Sequence, residues 1–151
     1  MKKVLLFAIP LLFAVACTLD SVISLPYSEK VNPALLGTWT DPNAEEESEM
    51  VISQHGPKEY KITVEAGEFI GHTSKVGEVN YMDVHELGDK LHMFFKYEHK
   101  GDTITFYEVS DDYKEVEFKT TTLLLNYLKE NADKEGFFSN PETVQKKKSK
   151  K

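Results

Sequence analysis

One cysteine and five histidines carry most of the reactive side-chain chemistry in this chain. Cys17 has no partner for an intrachain disulfide, so the fold must stand on its core. The histidines are His55, His72, His85, His92 and His99, the last three spaced seven apart. On an extended chain an odd separation puts residues on opposite faces. No Cys or His pair has the local spacing of a metal-ligand motif. A site would have to be assembled across strands, and Asp83, His85 and His92 are the set that could form one. The competing reading leaves the histidines as polar residues on outer faces, and no metal ligand is assigned. Glu45-Glu46-Glu47 falls in a polar loop and Asp111-Asp112 in a hairpin turn, where carboxylates are solvated rather than paired for glycoside chemistry. Neither a Gly-x-Ser-x-Gly elbow nor a Gly-rich phosphate loop occurs. No catalytic residue or cofactor is implied, and the chain is read as a non-enzyme.

Charge narrows the partners. The formal net charge is −7, and basic residues are supplied by Lys alone, with no Arg. Nucleic-acid binding favours a basic face and often guanidinium forks, so no nucleic-acid partner is expected. Apolar residues make up 40% and charged residues 28% of the chain, which suits one globular domain with a core of its own.

The position of Cys17 gives it a role. Lys2 and Lys3 precede an apolar run from Val4 to Val15, and the small residues Ala14 and Ala16 follow. A charged start, a short apolar middle and a small-residue cleavage site make up a secretory signal. The run falls short of the roughly 20 residues that span a bilayer. With Cys17 next, the tetrad Ala14-Val15-Ala16-Cys17 resembles the lipobox of bacterial lipoproteins. That resemblance implies a diacylglyceryl group on the Cys17 sulfur and cleavage before it. It implies membrane attachment in the bacterial cell envelope, with the outer membrane favoured by Thr18 after the cysteine. Ala14-x-Ala16 also meets the requirement for ordinary secretory cleavage, which would leave Cys17 a free thiol. The expected organisation is a signal over 1–16, a lipid-anchored tether over 17–33, a folded domain over 34–145 and a basic, disordered tail over 146–151.

The elements of that domain follow from periodicity. Tyr60, Ile62 and Val64 alternate with charged and hydroxyl residues, as do Ile104 and Phe106. Leu91, Met93, Phe95 and Tyr97 line one face of another run. Period two marks half-buried strands, and further strands are expected at 36–40, 49–54, 68–73, 78–84 and 114–119. Gly, Pro, Asn and Asp separate them with turn chemistry. The fold class is mainly β: an antiparallel meander of about eight strands, closed as a barrel or stacked as a sandwich. At Thr120 the period changes. Leu124, Tyr127 and Leu128 predict a helix through about Ala132. Asn140-Pro141-Glu142 reads as a cap, a first-turn proline and an acidic N-terminal residue, which predicts a short second helix over 141–146.

The first strand contains Leu35-Leu36-Gly37-Thr38-Trp39, with the sole Trp. Gly-x-Trp on the first strand of a small antiparallel barrel resembles the lipocalin and calycin group. The resemblance covers the layout of residues 35–132 and implies that Trp39 packs across the base of the barrel. Two roles follow. The first is a membrane-anchored module binding a small apolar ligand inside the barrel, through residues the sequence does not identify. The second is an envelope interaction or structural protein with a filled barrel. The density of Phe, Tyr and Met on the inward faces favours filling. No protein partner is identified.

Overall fold

The computed structural model describes residues 18–44 and 48–148. The segment expected to be a signal, Cys17, Glu45-Glu46-Glu47 and the end of the lysine tail lie outside the described residues. The strands are β1 (Asp20–Ser21), β2 (Gly37–Thr40), β3 (Glu49–Gln54), β4 (Tyr60–Val64), β5 (Gly67–Val76), β6 (Val79–Glu86), β7 (His92–Lys100), β8 (Thr103–Val109) and β9 (Phe138–Lys146). Helix α1 spans Thr121–Asn131. All pairings are antiparallel, in the order β1-β7-β6-β5-β4-β3-β2-β9-β8, and β8 also pairs with β7. That last pairing closes eight strands, β2 to β9, into a barrel. β1 adds to the exposed edge of β7, with Ser21 opposite His92. The closed antiparallel barrel agrees with the lipocalin-like layout expected from the sequence.

Two expectations are corrected. Residues 114–119 form no strand; they lead from a 3-10 turn at Asp111–Tyr113 to α1, and Phe118 is buried in an outer core. The segment 141–146 is no helix. It belongs to β9, which closes the barrel between β2 and β8. Asn140 adopts φ 53°, and the register shifts between Phe106 and Glu108. The shift sets Asn140 and Pro141 in a bulge, where a proline lacking an N–H removes no ladder hydrogen bond. Beyond the bulge, Glu142 and Val144 face the same way as Phe106 and Ile104, their cross-strand partners.

Burial divides into two cores. The inner core fills the barrel with Trp39, Met50, Tyr60, Met82, Phe95 and Phe106 among others, each at most 1% exposed. The Trp39 indole N–H donates to the Leu35 carbonyl at 3.0 Å, and the Lys146 ammonium sits 5.0 Å above the ring. This places Trp39 in the inner packing expected of it. The outer core lies between the barrel wall and its covering. It joins Tyr81 and Phe94 on the wall to Leu124 and Leu128 of α1 and to Leu19 and Leu25. The Thr120 hydroxyl caps α1 by accepting from the Leu123 N–H at 3.2 Å. Leu124 and Leu128, one turn apart, bury the inner face of the helix.

Leu19 and Leu25 lie in the stretch expected to be a tether. From Thr18 onward that stretch lies on the barrel. The Thr18 hydroxyl donates to the Phe94 carbonyl and accepts from the Val109 N–H, both at 2.8 Å. The β7–β8 register, Lys96 opposite Tyr107, would put Phe94 opposite Val109 if the ladder continued. Thr18 thus bridges the two strands where they diverge.

Candidate functional site

The β5–β6 hairpin turns at Gly77, φ 64°, with Val76 opposite Val79. A left-handed glycine at the first turn position is what a tight two-residue hairpin needs. That turn fixes the register, which sets His72 of β5 opposite Asp83 of β6. On the other side of β6, Val84 pairs with Met93 of β7. One step further along, His85 and His92 meet, their ring centroids 4.7 Å apart. Side chains alternate along strands. Val84 and Met82 point into the barrel, so Asp83 and His85 point outward, together with His72 and His92.

Asp83 is fully buried although it faces outward, because residues 18–31 cover it. Its Oδ2 accepts the Leu25 N–H at 2.9 Å. Its Oδ1 lies 2.6 Å from Nδ1 of His92, which donates to it. His72, also fully buried, is 3.5 Å from Oδ2 through Nε2. That nitrogen donates to the Leu25 carbonyl at 2.8 Å. A single residue, Leu25, thereby engages both members of the His72–Asp83 pair through its N–H and its carbonyl. The Tyr27 ring stacks on His72 with centroids 3.6 Å apart and planes 16° from parallel.

Among the described residues, two buried ring nitrogens have no hydrogen-bond partner. Nδ1 of His72 and Nδ1 of His85 are both buried from solvent without a hydrogen bond. Buried polar atoms are nearly always satisfied, so these are exceptions that need a reason. Burial holds the His85 imidazole below its ordinary pKa, with the neighbouring His92 adding to the effect and Asp83 opposing it. His85 is therefore neutral at pH 7, with a lone pair to offer. One oxygen or ring nitrogen from each of Asp83, His85 and His92 lies within 4.8 Å of the other two.

The set that could be assembled across strands is thus brought together, on the outer wall. The other candidates are not part of it. His55 lies exposed in a turn, and His99 bonds the Gly101 carbonyl and meets Trp39 edge-on. Asp111 and Asp112 lie exposed in a 3-10 turn. Sequence reasoning named His72 without grouping it, and missed Leu25 and Tyr27. The Gly77 turn was the usable signal for His72, since a two-residue turn there aligns it with Asp83. Beside β1, a cleft of about 310 Å³ is lined in part by Val22, Leu91, Val116 and Phe118. Comparison of the chain with protein-family models, with curated proteins and with solved structures finds no match to any of them.

Proposed function

We propose that this protein is a lipid-anchored component of the bacterial cell envelope, with a filled barrel as scaffold and the outer wall as working surface. It acts by binding rather than by catalysis. The observation that carries the reading is the packing of the barrel interior. Apolar side chains from every barrel strand meet there, among them the large Trp39, Tyr60, Phe69, Met82, Phe95 and Phe106. An apolar ligand held inside the barrel would need the volume those side chains occupy. That favours the second of the two roles expected from the sequence. His72 Nδ1 and His85 Nδ1, buried without hydrogen-bond partners, lie instead on the outer wall, beside the N-terminal strap of residues 18–31. Anchoring rests on the sequence: the only cysteine directly follows an apolar run flanked by Lys2, Lys3 and small residues. Each buried methylene of an acyl chain contributes about 0.8 kcal/mol, so two or three chains hold a domain at a membrane durably.

Growth of expressing bacteria with alkyne-tagged palmitate tests the anchor. Wild type is expected to become labelled and to partition with membranes, whereas Cys17→Ala loses the label. Label persisting on Cys17→Ala would overturn the lipid-anchored reading.

A further inference from the structure

We propose that Asp83, His85 and His92 form a binding site for one borderline divalent metal ion, zinc being the best fit. Four observations support it. The three side chains come from two neighbouring strands of a closed barrel and project from the same wall, within 4.8 Å of each other by their donor atoms. Asp83 is fully buried, and its Oδ2 is already oriented by the Leu25 N–H. Nδ1 of His85 is buried with nothing to bond. Finally, the Leu25 N–H holds the Asp83 carboxylate and His72 in turn holds the Leu25 carbonyl, an outer layer of the kind that fixes ligands in metal sites.

The donor set selects the ion. Two imidazoles and one carboxylate suit zinc, whereas calcium and magnesium prefer all-oxygen sites. The site contains no thiolate, which argues against copper(I). Tetrahedral zinc with ligands at about 2.0–2.1 Å requires donor atoms about 3.3 Å apart. The His92 Nδ1 to Asp83 Oδ1 contact, now 2.6 Å, must open by under an ångström, while the His85 ring closes in. His92 changes tautomer as the ion binds: Nδ1 gives up its proton to solvent, Nε2 takes one from solvent, and the neutral ring ligates through Nδ1. Three protein ligands leave a fourth position, on the side where His92 keeps 13% of its side chain accessible. His72 is a positioning residue, because its Nε2 is committed to the Leu25 carbonyl.

The test uses the full-length protein in detergent, stripped with a chelator and titrated with zinc chloride by calorimetry. One equivalent is expected to bind, and His85→Gln or His92→Gln should weaken binding at least about a hundredfold. His55→Gln, in an exposed turn, should bind as wild type does. His85 lies at the end of β6 and is only half-buried, so His85→Gln is the variant expected to keep its fold, which circular dichroism checks. Zinc should also raise the melting temperature of wild type and leave that of His85→Gln unchanged. Absence of saturable binding to wild type would overturn the proposal, as would binding of equal strength in folded His85→Gln.

Discussion

Gly71 offers a test of the filled barrel whose sign, not merely its size, carries the answer. It lies mid-strand in β5 opposite Val84, facing inward, with ordinary extended backbone. A Cβ placed there would meet Ile62 Cδ1 at 3.1 Å, Val84 Cγ1 at 3.2 Å and Met82 Sδ at 3.4 Å. Ile62 and Met82 end in flexible atoms that can turn aside. Val84 is β-branched, and its χ1 is stiff. Replacing glycine by alanine where the conformation suits both stabilises by about 0.4–1 kcal/mol, through the unfolded chain. Inserting a carbon into a packed core costs about 1–3 kcal/mol. In a filled barrel the second effect wins, and Gly71→Ala loses about 1 kcal/mol net. At roughly 2–4 °C per kcal/mol for a domain of this size, the melting temperature falls by a few degrees. In a hollow barrel only the first effect operates, and the variant is more stable than wild type. Urea denaturation with matched m-values decides between them. A stabilised Gly71→Ala would refute the packing argument, and the proposed scaffold role with it.

Two further predictions concern protons. Burial raises the Glu142 carboxyl above its usual pKa, helped by Asp41 and Glu108. The folded state therefore holds a proton that the unfolded state releases first, so stability drains away as pH rises through that window. Glu142→Gln should raise the melting temperature at pH 7 and leave it unchanged below the unfolded carboxyl pKa; equal gains at both would contradict the assignment. Burial, more than the neighbouring Tyr60, pushes the Tyr97 hydroxyl up to about 12, and burial raises Tyr81 as well. The unfolded tyrosines ionise near 10, so the folded form should lose stability between about pH 10 and 12. Ultraviolet titration should show an early group of exposed tyrosines and a late group that ionises only as circular dichroism is lost. A single reversible phase with the fold intact would refute it.

What could be read from the sequence was whatever depends on short-range alternation. Tyr60-Ile62-Val64 and Ile104-Phe106 gave their strands because one face is buried and the next residue is not. β5 and β6 were harder to bound, because both of their faces are buried where the strap and α1 cover the wall. β9 was lost because Asn140-Pro141-Glu142 carries the local chemistry of a helix start. Closure of the barrel overrode that preference by absorbing Asn140 and Pro141 in a bulge. Val116 and Phe118 alternated like a strand but pack against the outer core without a ladder. In the site, Asp83, His85 and His92 could be named from residue type alone. The burial of Asp83 could not, since it depends on Leu25, 58 residues away. Only the folded chain lays the strap across them.

Thr18 has a consequence for how the proposed lipid anchor would hold the protein. Its hydroxyl is fastened between Phe94 and Val109. A protein acylated on the preceding residue consequently has no leash. One residue spans at most about 3.6 Å, so an acyl group on Cys17 would leave the barrel far less room to swing or stand off than a flexible stalk gives. With a lipid on Cys17, as proposed, the flank where β7 and β8 part would face the headgroups. A partner of the protein so anchored would then approach from the sides and from the face turned away from the lipid.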